Sequence, residues 1–244
     1  MFFWKKRKPA AADLSWLVAD MHSHLVPGID DGAPDVETSL VLIEGLQRLG
    51  YRKLYTTPHI LSDMYPNTPE TIGAGLATLQ SALREAGNDV PLSAAAEYFV
   101  DAHFAAMVKE QQPLLRLRDN LILVEASTFS APLEFKEVLF ELQLQNYQPI
   151  IAHPERYTYL KQDPGYLDDL RYNGCFFQLN LMSLAGHYGA LSKELAENLI
   201  RKGFYDFVGT DIHHVQHLPV LERAAASPLL QKLRDSGRLQ NDRL

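Results

Sequence analysis

Two short pairs of residues in this sequence have the types and the spacing of metal ligands. His22 and His24 are separated by one residue, and so are Asp211 and His213. On a β-strand, residues i and i+2 point to the same face, so each pair would present two ligand atoms to one place, whereas His214 would point the other way. Imidazole and carboxylate groups suit divalent transition metals. The spacing therefore predicts metal chemistry.

Further donor residues lie at or near the ends of other apolar runs, and together they are too many for one ion. The candidate ligands are His22, His24, Asp31, His59, Glu97, Glu125, His153, Asp211 and His213. A tetrahedral ion takes four ligands, so this set suits two or three ions bridged by carboxylates. Three divalent ions would outweigh the four carboxylates and attract a phosphate dianion, which the metal-free cluster would repel. If the protein hydrolyses phosphate esters, it must therefore require the metals, and its metal-free form should be inactive.

These donors must be positioned by strands that end at a common place. Seven short apolar runs, each the length of a strand, alternate with segments of helical periodicity such as Val36–Leu49. This alternation predicts parallel βα units. The runs are Leu17–His24, Lys53–His59, Leu92–Phe99, Leu121–Ser127, Pro149–Glu155, Phe176–Ser183 and Asp206–His213. In a (β/α) barrel, the carboxyl ends of all strands meet at one mouth, whereas an open sheet would spread the donors along a line. We therefore predict an α/β fold, a seven-stranded barrel in a single domain.

Length, charge and cysteine content exclude several classes of protein. The chain has 244 residues, a formal net charge of −7 and one cysteine. A disulfide framework, a cysteine-rich zinc module and a nucleic-acid binder that relies on broad positive potential are therefore not expected. No apolar stretch is long enough to span a membrane, so we expect a cytoplasmic enzyme.

The amino terminus differs in composition from the rest of the chain. Three aromatic residues, Phe2, Phe3 and Trp4, precede the basic run Lys5–Lys8. We predict a flexible tail over residues 1–14 and the barrel domain over residues 15–244. We interpret the tail as a frayed and solvated segment. The alternative is that its aromatic and basic residues make a weak contact with a membrane surface.

The order of the motifs resembles that of a known family over Leu17–His217. The segments DMHSHLVPGIDDG, TTPH, AAAEYF, ILVEAS, IIAHPERY and GTDIHH are similar to those of the polymerase-and-histidinol-phosphatase (PHP) superfamily. More narrowly, they resemble the CpsB/YwqE-type protein-tyrosine phosphatases of capsular and exopolysaccharide operons. The resemblance implies a distorted, TIM-barrel-like (β/α)7 fold around a trinuclear metal site, with manganese as the expected metal and iron, zinc or cobalt as alternatives.

The resemblance also implies how the ligands are shared and what the enzyme acts on. One ion would be held by His22, His24, Glu97 and Asp211, a second by Glu97, Glu125 and His153, and a third by Asp31, His59 and His213, with Asp30 as an alternative to Asp31. The implied substrate is a phosphotyrosine-bearing protein, the tail of a membrane-bound bacterial tyrosine kinase that controls polysaccharide export.

Residues outside the ligand set are predicted to bind the phosphoryl group. Arg156 would clamp it in two hydrogen bonds and act in catalysis with Asp211 and His213, or would instead pair with its neighbour Glu155. Relatives often carry an arginine soon after the last D-x-H motif. Here His217 is the nearest candidate cation, and Asn180 is a second candidate contact to the substrate. His103 and His187 lie outside the motifs and are predicted to be surface or structural residues.

Other chemistries and roles make different demands on the sequence. Cysteine-based tyrosine phosphatases need Cys-x5-Arg, but Leu181 stands six residues after Cys175, so this cysteine is predicted to lie in the core. The alternatives retained are a histidinol-phosphatase-type small-molecule enzyme, and a non-catalytic scaffold stabilised by metal. An amidohydrolase is disfavoured because no lysine is found at a strand end.

Overall fold

The computed structural model describes residues 13–163 and 165–244. The strands are β1 (Ala19–Asp20), β2 (Lys53–Thr56), β3 (His59–Ile60), β4 (Leu92–Ala94), β5 (Glu97–Phe99), β6 (Leu121–Glu125), β7 (Gln148–Ala152), β8 (Phe176–Asn180) and β9 (Phe207–Gly209). The α-helices are α1 (Val36–Arg48), α2 (Pro69–Glu85), α3 (Ala102–Lys109), α4 (Phe135–Leu144), α5 (Tyr166–Tyr172), α6 (Gly189–Lys202), α7 (Leu218–Ala225) and α8 (Pro228–Asp235). All strand pairs in the two sheets are parallel, in the orders β1-β2-β4 and β3-β5-β6-β7-β8-β9.

The seven predicted runs form a ring, although two of them are each divided into two strands. The run Lys53–His59 is interrupted at Pro58, which has no backbone N–H to donate to a neighbour. Its partner Leu92–Phe99 is interrupted at the same level, so β2 and β4 pair in one sheet and β3 and β5 in the other. Each divided run still occupies one position in the ring, and the distorted (β/α)7 barrel is confirmed.

Backbone hydrogen bonds between the first and last runs close the ring. Ser23 forms a parallel bridge with Ile212, the amide of His24 donates to the Ile212 carbonyl, and the amide of Asp211 donates to the His22 carbonyl. These bonds bring the two i, i+2 pairs, far apart in the sequence, side by side at the mouth.

Side-chain alternation divides the apolar residues between two layers. A small cluster that includes Met21, Leu123, Ile150 and Phe207 comes from several strands. Leu123 shares a strand face with Glu125, so this cluster fills the barrel below the mouth. The larger cluster packs the helices against the strands and contains Cys175, which is buried as predicted.

The amino-terminal boundary needs one correction. Leu14 is fully buried, and its amide donates to the Leu49 carbonyl, so this residue belongs to the core and not to the tail. The prediction for residues 1–12, including their contact with a membrane, lies outside the described residues. Among the described helices, none combines the length and the apolar character that a membrane span requires.

Candidate metal centre

The predicted ligands converge on one cavity at the carboxyl ends of the strands. The cavity has a volume of about 350 Å³ and is lined by Asp31, His59, Leu61, Tyr65, Phe99, Glu125, Arg156, His187, Tyr188, Asp211, His213, His214 and His217. Four buried candidate ligands contact residues of this lining. His22 and His24 each lie 3.3 Å from Asp211, Glu97 lies 3.1 Å from His59, and His153 lies 3.6 Å from Glu125. All nine candidate ligands are thus brought together.

The innermost ligand group consists of His22, His24, Glu97 and Asp211, all fully buried or nearly so. His22 Nε2 lies 3.1 Å from Glu97 Oε2 and 3.3 Å from Asp211 Oδ1. His24 Nε2 lies 3.3 Å from the same Asp211 oxygen. One ligand atom from each residue can therefore reach a common point, and this group is the one that the family resemblance implies for the first ion.

The protonation of these two histidines shows that the group fits a cation. His22 Nδ1 lies 3.1 Å from Gln178 Oε1, and His24 Nδ1 lies 2.8 Å from Asp30 Oδ2. Because an acceptor oxygen faces each Nδ1, the proton of each neutral ring is placed on that nitrogen. Both Nε2 atoms, which lie 3.3 Å apart, are then unprotonated and direct their lone pairs inward. Glu97 Oε2, also buried, has no hydrogen-bond partner among the described residues. A metal ion would satisfy all three atoms.

The charge balance of the buried group points the same way. Burial opposes ionisation of Glu97 most strongly, but His22 and His59 outweigh it and hold the pKa of this carboxyl well below its ordinary value. Burial likewise opposes protonation of His22, yet Glu97 and Asp211 raise the pKa of its imidazole. The carboxylates thus draw positive charge into the cavity, as protons on the histidines or as metal ions in their place.

A second ligand group adds Glu125 to the shared residue Glu97. His59, Glu97 and Glu125 can reach a common point, and His153 Nε2 lies 3.0 Å from Glu97 Oε1 and 3.6 Å from Glu125 Oε1. Burial and the charge of Glu97 raise the pKa of Glu125 well above its ordinary value. Two buried carboxylates this close need a cation between them to ionise together, which fits a bridging site.

The third ligand group is the most exposed and distinguishes Asp31 from Asp30. His24, Asp31, His59 and His213 form this group. Asp31 Oδ1 lies 3.5 Å from His59 Nε2 and 3.4 Å from His213 Nε2, and its side chain is 51 % exposed. The Asp30 carboxylate is turned inward instead, where it accepts from the Gly32 and His59 amides and contacts His24. Asp31 is therefore the candidate ligand, and Asp30 orients His24.

Two glycines and two strained residues set this geometry. A Cβ at Gly32 would lie 2.3 Å from the His24 carbonyl oxygen, and a Cβ at Gly209 would lie 2.6 Å from the His22 Cβ, so neither position accepts a side chain. His153 and Asp211 have φ angles of 31° and 52°, in the left-handed region. This costly conformation turns both side chains into the mouth and is typical of functional sites.

Arg156 lies at the cavity wall, but its partner differs from the predicted alternative. Its Nη1 donates to Asp211 Oδ2 at 3.0 Å, and its guanidinium lies 4.4 Å from the centre of the Tyr188 ring. Glu155 points into the core, where it accepts from the Asn180 amide and from the Ser183 and Tyr205 hydroxyls. The alternative of an Arg156–Glu155 ion pair is therefore wrong.

Asn180 does not line the cavity. It is fully buried, and its Nδ2 donates to Asp211 Oδ2 at 2.7 Å and to the Tyr188 hydroxyl at 2.9 Å. Its Oδ1 accepts from the Met182 amide. The predicted contact between Asn180 and the substrate is thus replaced by a positioning role, in which Asn180 holds a ligand carboxylate and the ring beside Arg156.

His217 lines the cavity but does not supply the missing positive charge. Its Nδ1 accepts a hydrogen bond from the His213 amide. Burial and the neighbouring histidines His213, His187 and His214 lower its pKa to about 4, so the imidazole is neutral near pH 7. The prediction of a replacement cation is therefore wrong, and His217 can contact a substrate only as a neutral group.

Several residues near the cavity were not identified from the sequence. His187, which the sequence predicts to be a surface or structural residue, and His214, which it predicts to face away from the site, both line the rim. His103 is exposed on α3, as predicted. Gln178 and the aromatic residues Tyr65, Phe99 and Tyr188 were not assigned to the site. The i+2 position of Phe99 after Glu97 was the available signal.

Cys175 offers no thiolate for catalysis. Burial raises the pKa of its thiol to about 12, and the residue precedes β8 inside the large apolar cluster. A nucleophilic cysteine needs a lowered pKa and access to the substrate. The described site therefore favours metal chemistry over cysteine chemistry.

Comparison with known proteins assigns the chain to a family. The family model for capsular polysaccharide synthesis, CpsB/CapC, matches residues 18–236. The tyrosine-protein phosphatase YwqE of Bacillus subtilis is 30 % identical over 231 residues, which cover 90 % of each chain. The tyrosine-protein phosphatase CpsB of Streptococcus pneumoniae is 25 % identical over 220 residues, covering 87 % of this chain and 90 % of its own.

A solved structure agrees with these sequence matches. It comes from work on YwqE of Bacillus subtilis and CpsB of Streptococcus pneumoniae, described as unique metal-dependent tyrosine phosphatases. It superposes with a TM-score of 0.79 at 28 % identity and covers 91 % of this chain and 89 % of its own.

Proposed function

We propose that this chain, which belongs to the CpsB/CapC family of capsular polysaccharide synthesis, is a metal-dependent protein-tyrosine phosphatase. The observation that carries the proposal is the convergence of three overlapping ligand groups on a cavity that Arg156 also lines. Such a cavity combines cation sites with a fixed guanidinium, which is what hydrolysis of a phosphate monoester needs. The names of the relatives support tyrosine phosphate as the substrate.

The ligand assignments are part of this proposal. His22, His24, Glu97 and Asp211 would hold one ion; Glu97, Glu125 and His153, with His59 beside them, a second; and Asp31, His59 and His213 a third. Bound divalent ions would neutralise phosphate charge and activate water for attack on phosphorus. Asp30 and Gln178 would keep the Nε2 atoms of His24 and His22 unprotonated and directed at the ions.

Arg156 would bind the phosphoryl group. Asp211 Oδ2 and the Tyr188 ring hold its guanidinium at the cavity wall. Burial opposes its charge, but Asp211 and other anionic neighbours outweigh burial and raise the pKa of Arg156, so it remains a cation. The phenolate of tyrosine, with a pKa of about 10, is a good enough leaving group to depart without strong protonation. Hydrolysis of tyrosine phosphate therefore depends more on a group that binds the phosphoryl oxygens than on a general acid that protonates the leaving group.

We further propose that the metal is manganese, that each chain binds two to three ions, and that the protein is located in the cytoplasm. The proposed partner is the phosphorylated tail of a membrane-bound bacterial tyrosine kinase that controls polysaccharide export. The open mouth of the cavity is consistent with a flexible peptide as substrate.

Phosphate release from two substrates tests the proposal. Chelator-stripped protein is assayed with a phosphotyrosyl peptide and with histidinol phosphate, each with and without Mn²⁺. We expect metal-dependent turnover of the peptide, and Cys175→Ser should retain it. Turnover of histidinol phosphate alone would instead indicate the small-molecule enzyme, and no turnover of either by metal-loaded protein would favour the non-catalytic scaffold.

A further inference from the structure

The cavity has two chemically different sides. Arg156, His187 and His217 line it from the loops after β7, β8 and β9. Leu61, Tyr65 and Phe99 line it from the β3 and β5 side, and each is partly exposed. The first side offers polar and cationic groups, and the second offers an apolar surface beside the candidate ions.

Strand register explains why apolar residues stand above the ligands on one side. In the β3–β5 pair, His59 lies opposite Glu97. Side chains alternate along a strand, so Leu61 follows His59 on the same face, and Phe99 follows Glu97. The ligand layer is thus covered on this side by an apolar layer one step nearer to solvent.

A short hairpin fixes the position of Leu61 and Tyr65. The Leu61 amide donates to the Tyr65 carbonyl, and the Tyr65 amide donates to the Leu61 carbonyl. The Ser62 amide and hydroxyl both donate to Asp101 Oδ2, and Asn67 Nδ2 donates to the His59 carbonyl. The loop is therefore held by the Leu61–Tyr65 pair, at Ser62 and at Asn67.

Tyr65 extends the apolar side toward the candidate ligands. Its ring is stacked on the His59 imidazole, with centroids 5.5 Å apart and planes 17° from parallel. Leu61, Tyr65 and Phe99 are named here the apolar wall. None of the three is a candidate ligand of an ion, and contiguous exposed apolar side chains rimmed by polar residues mark ligand-binding grooves.

We propose that the apolar wall receives the phenyl ring of phosphotyrosine and makes the site selective for aryl over alkyl phosphate monoesters. This inference rests on the proposed function. With the phosphoryl group at Arg156 and the candidate ions, the ester must extend away from them, and the wall offers the ring an apolar, aromatic surface. An alkyl phosphate leaves this surface uncovered.

Binding of two phosphonates isolates the contribution of the ring. Phenylphosphonate and methylphosphonate carry similar anionic groups and cannot be hydrolysed, so their comparison removes leaving-group effects. Their dissociation constants are measured by calorimetry with metal-loaded protein. We expect phenylphosphonate to bind about tenfold more tightly or better, as burial of an aromatic ring predicts.

Two variants from different elements test the wall. Phe99→Ala and Leu61→Ala should each reduce the preference for phenylphosphonate about threefold or more, with methylphosphonate affinity unchanged within about twofold. Phe140→Ala is the matched control, because Phe140 is an exposed aromatic residue on α4 that does not line the cavity. It should keep the wild-type preference, and thermal unfolding verifies that every variant is folded.

The outcomes separate this inference from the proposed function. Equal binding of the two phosphonates by the wild type, or an unchanged preference in both folded wall variants, would overturn the inference even if the phosphotyrosyl peptide is hydrolysed. Failure to hydrolyse that peptide would count against the proposed function, whereas a phenyl preference that depends on the wall would still support the ring site.

Discussion

The innermost and outermost ligand groups share His24 but differ in their surroundings. The side chains of His22, Glu97 and Asp211 are at most 2 % exposed, whereas those of His59 and His213 are 14 % and 13 % exposed and that of Asp31 is 51 % exposed. Among the inner residues, His22, His24 and Asp211 lie in the segments whose backbone bonds close the ring, whereas the outer aspartate lies in a loop. The comparison indicates that the inner group is built to hold charge away from water, and the outer group to meet the substrate.

Glu97→Ala should break the inner group and have the largest effect. Glu97 contacts His22, His59 and His153, so its loss removes a ligand from two groups at once. We expect turnover to fall to the background rate. We also expect the bound metal per chain, measured by elemental analysis, to fall below that of the wild type. A folded variant with wild-type metal content and activity would exclude Glu97 as a ligand.

Arg156→Ala should separate phosphate binding from metal binding. Its guanidinium contacts Asp211 from the cavity side, so its removal should leave the inner group in place. We expect kcat/KM for a phosphotyrosyl peptide to fall by roughly 10²–10³, the scale of one lost transition-state donor, at unchanged metal content. Unchanged kinetics would contradict the assigned clamp, and a loss of metal would show that Arg156 is needed to hold Asp211.

Asp30→Asn should sharpen the distinction between Asp30 and Asp31. Asp30 contacts His24 at Nδ1, the ring nitrogen that faces away from the candidate ion, and replacement of such a partner lowers metal affinity by roughly 10–100-fold. Titration of stripped protein with Mn²⁺ measures this affinity. Asp31→Asn is the matched variant and should weaken the outer site alone. If Asp30→Asn abolished one site completely, Asp30 would be the ligand.

Glu155→Gln should have the smallest effect of these substitutions, because it should change the pH dependence of stability and leave activity unchanged. Burial raises the pKa of Glu155 from 4.5 to about 7. The folded protein therefore binds more protons than the unfolded chain between about pH 4.5 and 7, and its unfolding free energy falls as pH rises through this window, by at most roughly 3–4 kcal/mol. Denaturant unfolding of metal-free protein should show this decline in the wild type and a weaker one in the variant. The same slope in both would show that other groups cause it.

Much of the clustering of the candidate ligands could be predicted because it depends on strand periodicity. The i, i+2 spacing of His22 with His24 and of Asp211 with His213 was enough to group these residues, and the structure brings them together. The seven apolar runs likewise predicted the barrel. Asn180 could not be assigned in this way, because a polar residue at a strand end can face a ligand or bond to a neighbouring side chain, and only packing selects between them.

The sequence by itself determined the types of the candidate metal ligands, the number of strand positions and the lack of a Cys-x5-Arg motif, since these depend on residue identity and local spacing. Tertiary structure decided which aspartate of the D-D-G motif faces the cavity, that His217 is neutral, and that Leu61, Tyr65 and Phe99 share a wall. Each of these also depends on contacts between distant segments: the His59 amide donates to Asp30, the His187 ring packs against His217, and the wall residues come from two separate runs. Their geometry follows from ring closure and strand register, which no local pattern encodes.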